Sequence, residues 1–310
     1  MPAIITHHIF GEDIVASLPE GIVDGEEELL AFLLANQGPD PFVARFSTLP
    51  SRAATCHAFA RDFQDRSVSR AFMRMRDGVS HLPSNDQGVG RAFALGLLGH
   101  YALDRMAHPF VISQQRALAG ADSSLLPARR AVHALIESDI DSWILWEKRR
   151  ATVEERPATS NLMRTERVTR VGGALFSQVA LAVFDTALGA DEYAASVRDY
   201  ETVYRLIDPA RSPRVRAIGL AERIVRGHSL AEATAHYVRR TDECPAANIE
   251  CRPWINPFTG VVQTKSFADL FDEARLSYPA LAEAFVRGDE KDFRELAGGL
   301  NYAGRPNTDR

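Results

Sequence analysis

The sequence predicts an all-α fold, a bundle of about eight to ten helices in a single domain over residues 1–310. Apolar residues recur with helical spacing through most of the chain, whereas the alternation of apolar and polar residues that marks half-buried strands is scarce. Prolines and glycines separate the periodic segments, as they do between helices. The composition, 45% hydrophobic and 25% charged, is that of an ordinary globular protein.

The predicted helices follow one another with short connections. The first covers residues 11–35 and ends at the turn 36–41, where two prolines interrupt the helical pattern. The segment 241–264 contains two cysteines and several prolines, and it is predicted to be a long ordered loop. The other helices are predicted at 51–75, 91–106, 128–148, 166–189, 190–207, 211–226 and 229–240, with a last one from Ser266.

Charge and hydropathy narrow the class of protein. The net charge of -5 does not suit a surface that holds a long nucleic-acid backbone, so no such partner is expected. No window approaches the roughly 18 consecutive apolar residues of a membrane span. Residues 1–19 lack the basic region and apolar run of a signal peptide. Together with the three cysteines, too few for a disulfide scaffold, these features predict a cytoplasmic protein.

Three side chains of metal-ligand type lie one helical turn apart in the segment 91–106 and just beyond it. His100, Asp104 and His108 follow at i, i+4 and i+8, so they fall within a sector of about 80° on a straight helix. The same face continues an apolar stripe that points toward the core. Because a buried carboxylate is costly unless it is paired or metal-bound, this pattern predicts a metal site.

His133 and Glu137 repeat the i, i+4 spacing on the next predicted helix, again beside isoleucines. A single pair of this kind is more often a surface ion pair, but its recurrence on successive helices favours a metal. Imidazole and carboxylate ligands without clustered thiols suit zinc with open coordination positions, and such a site is typical of catalysis. Neither an HExxH motif nor a His-Asp dipeptide occurs, which disfavours two other classes of metallohydrolase.

A longer series of motifs contains these residues. It runs through Thr6-His7 with Phe10-Gly11, the segment 37–42 (Gln-Gly-Pro-Asp-Pro-Phe), His57, the segment 99–104 with His108-Pro109, and His133 with Glu137. In this order the motifs resemble the zinc-dependent phospholipase C family. A weaker likeness extends to Asn256-Pro257, Ser266-Phe267 with Leu270-Phe271, and Tyr302 with Gly304.

The resemblance implies an all-helical fold with up to three zinc ions, a fold shared with fungal single-strand-specific nucleases. It also implies the ligands position by position. These are Asp40, His57, His100 and Asp104 for one ion, with Asp104 bridging to a neighbour, His108, His133 and Glu137 for another, and His7 with Asp104 for the third.

Two features depart from the secreted members of that family. The secreted enzymes supply an N-terminal tryptophan as a ligand of the third ion, whereas this chain begins Met1-Pro2-Ala3. The third site is therefore predicted to be empty, completed by water, or closed by the amine of Pro2 once Met1 is removed. The interval from Asp104 to His108 is also shorter, so the substrate preference of the secreted enzymes is not carried over.

We therefore expect a phospholipase C-like phosphodiesterase that uses two or three zinc ions. In this hypothesis a zinc-bound hydroxide attacks phosphorus in line, and Asp40 is a ligand that also orients or deprotonates the water. The expected substrate is a small phosphate ester or a phospholipid head group. Two alternatives stay open, a hydrolase of the single-strand nuclease or nucleotidase type and a metal-binding protein without catalysis.

The other polar and aromatic residues of interest receive simpler interpretations. Asp139 and Asp141 follow Glu137, and we expect either a hydrogen bond from one of them to a ligand histidine or exposure to solvent. Aromatic residues of the C-terminal part are expected to pack the long loop or to line a substrate pocket: Trp254, Phe258 and Tyr302. Three further histidines are predicted to be solvated: His81, His228 and His236.

Overall fold

The computed structural model describes residues 4–307, which form thirteen α-helices and one two-stranded antiparallel sheet. The predicted all-α class is confirmed. No helix within residues 4–307 is long and apolar enough to cross a membrane. The elements are α1 Ile4–Ile14, α2 Glu26–Ala35, α3 Asp40–Val43, α4 Pro50–Asp65, α5 Val68–Ser80, α6 Gln87–Ala121, α7 Arg129–Arg149, α8 Glu166–Phe184, α9 Asp191–Ile207, α10 Pro213–Arg226, α11 Leu230–Thr234, β1 Trp254–Ile255, β2 Val262–Gln263, α12 Phe267–Arg287 and α13 Glu290–Leu296.

Helix α6 is the centre of the molecule. It is 35 residues long, and the helices α1, α2, α5, α7, α8 and α12 all pack against it. Its segment from Val89 to Asp104 is almost entirely buried, because apolar residues and glycines occupy every side of it. A helix that is apolar all round lies inside the fold, so side chains on this segment can meet residues from several elements at once.

The predicted helix boundaries are wrong in four places. The segment 11–35 is not one helix, since the Leu18–Gly25 stretch, with Pro19, separates α1 from α2. The segment 51–75 is divided at residues 66 and 67, since Arg66 is extended and Ser67 has a φ of 54°. Helix α6 continues past Met106, through Pro109, to Ala121. In the segment 229–240 only the five residues of α11 are helical.

Buried apolar side chains form one continuous cluster that runs from Ile4 to Tyr302. Its aromatic part packs mainly edge to face, for example Phe42 against Phe59 at 5.3 Å and against Phe176 at 5.2 Å between ring centroids. Since both ends of the described chain contribute to the same core, residues distant in sequence meet around α6.

A short segment near the C-terminus crosses back over α4 and α6, and we call residues 299–305 the C-terminal strap. The backbone nitrogen of Tyr302 donates to the carbonyl oxygen of Gln64 at 3.1 Å. Tyr101 on α6 donates its hydroxyl to the carbonyl of Leu300 at 2.7 Å. Asn301 donates its amide to the carboxylate of Asp65 at 2.9 Å. The strap is therefore fixed beside the part of α6 that carries the predicted metal ligands.

Candidate metal centre

Three predicted ligands from two helices meet in a buried cluster, which we call the first group: His7, His100 and Asp104. His7 comes from α1 and the other two from α6. The carboxylate of Asp104 contacts both rings, with Oδ1 at 3.1 Å from His7 Nε2 and Oδ2 at 3.1 Å from His100 Nε2. One potential ligand atom from each residue lies within 4.8 Å of the others, a spacing that fits one metal ion.

A second group forms one turn further along α6, where His108 meets His133 and Glu137 of α7. Glu137 Oε1 lies 3.1 Å from His133 Nε2 and 3.6 Å from His108 Nε2. The three ligand atoms again lie within 4.8 Å of one another. The sequence interpretation placed these three residues on one ion, and the structure brings them together.

Hydrogen bonds determine which ring nitrogen of each α6 histidine is free to bind a metal. Nδ1 of His100 lies 2.9 Å from the carbonyl oxygen of Asn36, and Nδ1 of His108 lies 2.9 Å from that of Tyr302. A carbonyl oxygen only accepts, so Nδ1 carries the proton in both rings. In the neutral imidazole the lone pair then belongs to Nε2, the atom that faces the carboxylate in each group.

His133 is oriented by a glutamine in the same manner. Its Nδ1 lies 3.4 Å from Oε1 of Gln115, and Nε2 of that glutamine donates to the carbonyl of Arg129 at 2.7 Å. The bond to Arg129 fixes the orientation of the amide, so the atom facing the ring is the acceptor oxygen. His133 therefore also directs an Nε2 lone pair at Glu137.

Several buried polar atoms of the first group lack a hydrogen-bond partner among residues 4–307: His7 Nδ1, His100 Nε2 and Asp104 Oδ2. The last two lie 3.1 Å apart, and in the neutral tautomer of His100 both are acceptors. Two acceptors at this distance repel each other unless a cation, either a proton or a metal ion, lies between them. These residues therefore fit a bound metal ion.

The two groups are adjacent. His108 Nδ1 lies 3.5 Å from Asp104 Oδ2, so Asp104 contacts histidines of both groups. Between the groups is a pocket of about 20 Å³, which is room for one water molecule or one ion. Its lining combines polar and apolar residues: Thr6, His7, Leu103, Asp104, Ala107, His108, Val111, Glu137, Ile140 and Phe267.

Charges within the centre oppose the effect of burial. Burial favours neutral Asp104, but the charges of His108, His100 and His7 hold the pKa of this carboxyl well below its usual range. Burial also disfavours a charged His108, but Asp104 and Glu137 raise the pKa of His108 to about 9. Burial and the nearby His100 lower the pKa of His7. Without a metal, a proton on His108 therefore compensates the charge of the neighbouring carboxylates.

Asp40 and His57, which the family resemblance assigns to one ion, lie outside both groups. Asp40 is 3% exposed at the start of α3, and its Oδ1 accepts a hydrogen bond from Gln64 Nε2 at 2.8 Å. Its negative charge acts to raise the pKa of both His7 and His100. His57, on α4, has its Nε2 3.0 Å from the carbonyl oxygen of Arg45, so this nitrogen is the donor.

The turn before Asp40 contacts the first group directly. Gly38 has a φ of 60°, and a β-carbon at this position would lie 2.4 Å from Cδ2 of His100. Only glycine allows both the left-handed backbone and the close approach. The motif around Gly38 is thus explained by packing against His100. Pro2, whose amine is one of the alternatives for closing the third site, lies outside the described residues.

One sequence prediction about the remaining histidines is wrong. His236 was expected to be solvated, but it is fully buried and lies between the carboxylates of Asp141 and Asp208. No local pattern in the sequence around His236 reveals the two partners. Asp141 is also fully buried and contacts the start of α1 rather than a ligand histidine. His81 is exposed, as predicted.

The aromatic residues of the C-terminal part pack the loop and the strap. Trp254 lies edge to face with Phe110 at 5.4 Å, and its Nε1 donates to the carbonyl of Lys265. Tyr302 is 1% exposed and packs against His100 at 5.7 Å between ring centroids.

No protein-family model, curated protein or solved structure matches the chain, so the resemblance to the zinc-dependent phospholipase C family rests on the motifs.

Proposed function

We propose that the protein is a zinc-dependent hydrolase of phosphate esters that acts as a phosphodiesterase. The observation that carries the proposal is the pair of adjacent His/carboxylate groups in contact through Asp104 and His108. Two metal ions held close together are a recurrent arrangement in enzymes that cleave phosphate esters, because both the attacking and the leaving oxygen need stabilisation.

The donor atoms of the two groups support zinc as the metal. Each group offers two imidazole nitrogens and at least one carboxylate oxygen, with no thiolate. Three protein ligands with a remaining open position are typical of catalytic zinc sites. When bound, zinc supplies a Lewis acid that polarises a phosphoryl oxygen and lowers the pKa of water.

The chain's own residues have three tasks in this proposal. The histidines present preoriented lone pairs, since His100 and His108 are fixed through Nδ1 by the carbonyl groups of Asn36 and Tyr302. Asp104 holds the two groups at a fixed separation. Apolar side chains around the pocket, such as Leu103, exclude bulk water and so strengthen the electrostatic interactions inside.

Asp40 is proposed to orient the water or to accept its proton. The carboxylate is buried beside the first group, and Gln64 holds one of its oxygens. A buried base with one oxygen fixed by an amide keeps a defined orientation, as general-base catalysis requires. We expect Asp40→Asn to lower the turnover of an aryl phosphodiester by at least about tenfold. Unchanged zinc content together with an unchanged rate would exclude this role.

The proposal is tested by metal content together with turnover. The purified chain is assayed for zinc, and hydrolysis of bis-4-nitrophenyl phosphate and 4-nitrophenyl phosphate is measured before and after chelation and after zinc is restored. The matched variants are His133→Ala, in the second group, and His81→Ala, an exposed histidine outside both groups. We expect chelator-sensitive phosphodiester hydrolysis that His133→Ala abolishes and His81→Ala leaves unchanged. Zinc-loaded protein without hydrolysis of either ester would refute the proposal.

A metal-binding role without catalysis is the second candidate. The observation that favours it is the small volume of the pocket between the groups, about 20 Å³, which is room for an ion or a water molecule. The same experiment separates the two functions, because stoichiometric zinc without turnover is the result expected for a metal-binding protein.

A further inference from the structure

Asp141 is a buried carboxylate that the proposed reaction does not use. It is 0% exposed, and it accepts hydrogen bonds from the backbone nitrogens of Ile5 at 3.0 Å and Thr6 at 2.8 Å. It also accepts the hydroxyl of Thr6 at 2.5 Å. Backbone N–H groups in the first turn of a helix have no carbonyl partner within the helix, so a carboxylate from another helix caps the start of α1.

His236 connects this cap to a second carboxylate. Its Nε2 lies 3.0 Å from Asp141 Oδ2, and its Nδ1 lies 2.9 Å from Asp208 Oδ2. The ring is fully buried and stacks on Tyr204 with an interplanar angle of 18°. Because an ionised carboxylate only accepts, both ring nitrogens donate and the imidazole is held as a cation. Burial opposes that charge, but the carboxylates raise the pKa of His236 to about 10.

The cap joins the elements that carry the two metal groups. Asp141 follows Glu137 by four residues on α7, so the two carboxylates share one face of that helix. At the other end of the contact, Thr6 directly precedes His7 in α1. A displacement of α1 along α7 would therefore break the bonds to Asp141 and move His7 away from Asp104.

We propose that Asp141, held by His236, is a positioning residue that fixes helix α1 against helix α7 and thereby places His7 in the first metal group. The inference rests on the proposed function only in so far as His7 binds a metal. Supporting residues of this kind that hold a ligand in place typically change metal affinity by about 10- to 100-fold when they are replaced.

The test is a double-mutant cycle on zinc affinity with the full chain. Zinc is removed from wild type, His7→Ala, Asp141→Asn and the double variant, and each is titrated with zinc against a chromophoric chelator. Asparagine has nearly the shape of aspartate but loses the charge that pairs with His236. We expect Asp141→Asn to weaken zinc binding at the first group by at least about tenfold and to leave the second group unchanged.

The cycle separates positioning from a general loss of structure. If Asp141 acts through His7, the Asp141→Asn exchange has no further effect on zinc affinity in the His7→Ala background. An equal loss in both backgrounds would overturn the inference, as would wild-type affinity in Asp141→Asn. The matched control is Asp139→Asn, a carboxylate on the same helix whose partner is Arg239, and it is expected to bind zinc like wild type.

A second variant and a spectroscopic readout complete the test. His236→Gln removes the cation but keeps Asp141, and it replaces Asp141→Asn in the test if that variant does not fold. We expect it also to weaken zinc binding at the first group. Cobalt titration reports the ligand geometry through its visible absorption, and we expect an altered first-group spectrum in both variants. Zinc binding by wild type without hydrolysis of any ester refutes the proposed function and leaves this inference standing, whereas failure of wild type to bind zinc overturns both.

Discussion

The two metal groups use the same types of side chain but differ in exposure. In the first group the side chains of His7, His100 and Asp104 are 5%, 0% and 8% exposed. In the second group His108 and His133 are 13% and 21% exposed. The rings of the first group also stack more closely, at 3.9 Å between centroids against 5.8 Å in the second.

This difference assigns the groups different tasks. A buried carboxylate in contact with two imidazoles is costly without a cation, so we propose that the first group would retain a bound ion. The second group is partly exposed at His133, so we propose that a substrate or an exchanging ion would enter from this side. We expect slower zinc release from the first group than from the second, and the following experiments examine that asymmetry in order of expected effect.

The largest effect is expected for Asp104→Asn, because Asp104 contacts histidines of both groups. Loss of its charge removes a ligand of the first ion and the link to the second, so we expect zinc affinity at the first group to fall by about 100-fold or more. Turnover of an aryl phosphodiester is expected to fall to background. Zinc titration and initial rates are the measurements, and two sites of wild-type affinity would contradict the shared role of Asp104.

Replacement of Glu137 by glutamine is expected to affect the second group alone. The glutamine keeps the volume, and its amide can donate to the Nε2 lone pair of one histidine, but it lacks the charge that a zinc ligand needs. We expect the variant to bind one zinc ion fewer than wild type, because the second group loses its ion and the first group keeps its slowly released one. Metal analysis after dialysis measures this, and loss of the first ion instead would show that the groups are not independent.

A smaller effect on the second group is expected for Gly304→Ala in the C-terminal strap. Gly304 has a φ of 70°, and a β-carbon there would lie 2.5 Å from the carbonyl oxygen of Arg105. Displacement of the strap would weaken the bond from His108 to Tyr302, so we expect about tenfold weaker zinc binding at the second group.

The control for Gly304→Ala is Gly299→Ala. Gly299 has a similar φ of 60°, but a β-carbon there meets no atom within 4 Å. It therefore carries the same backbone strain without the contact with Arg105. Equal losses of zinc affinity in the two variants would assign the effect to strain and not to the orientation of His108.

The pH dependence of stability in the metal-free protein is expected to reflect the buried cation of His236. The pKa of His236 is raised to about 10 by Asp208 and Asp141, so its stabilisation is fully present below its unfolded pKa near 6.5. This stabilisation declines as the pH rises above the unfolded pKa, and it is lost once the pH passes about 10. We expect the free energy of unfolding of wild type, relative to His236→Gln, to fall by at most about 1.4 kcal/mol per pH unit across this window. Urea unfolding at pH 6, 8 and 10 measures it, and a constant difference would contradict the shift.

Local spacing was sufficient to predict the parts of the centre that one helix carries. His100, Asp104 and His108 share a face because helical geometry alone places them there, and the same holds for His133 and Glu137. The all-α class followed from the period of the apolar residues in the same way. These features depend on short-range geometry that the sequence states directly.

Features that depend on contacts between distant segments could not be predicted. Nothing near His236 indicates that two carboxylates 95 and 28 residues away surround it. The grouping of His7 with His100 depends on how α1 packs against α6. Helix α6 continues through Pro109 because tertiary packing outweighs the local preference, and propensity alone ended it at Met106.

The residue of the strap that orients a histidine of the second group is synthesised late. His108 is oriented by the carbonyl of Tyr302, which follows it by 194 residues. At typical translation rates of about 5–20 residues per second, the two are made roughly ten to forty seconds apart. A nascent chain therefore contains all three residues of the first group before it contains the carbonyl group that orients His108. We expect an ion at the first group to be able to bind first, and one at the second group to find its histidines fully oriented only once the strap has been made.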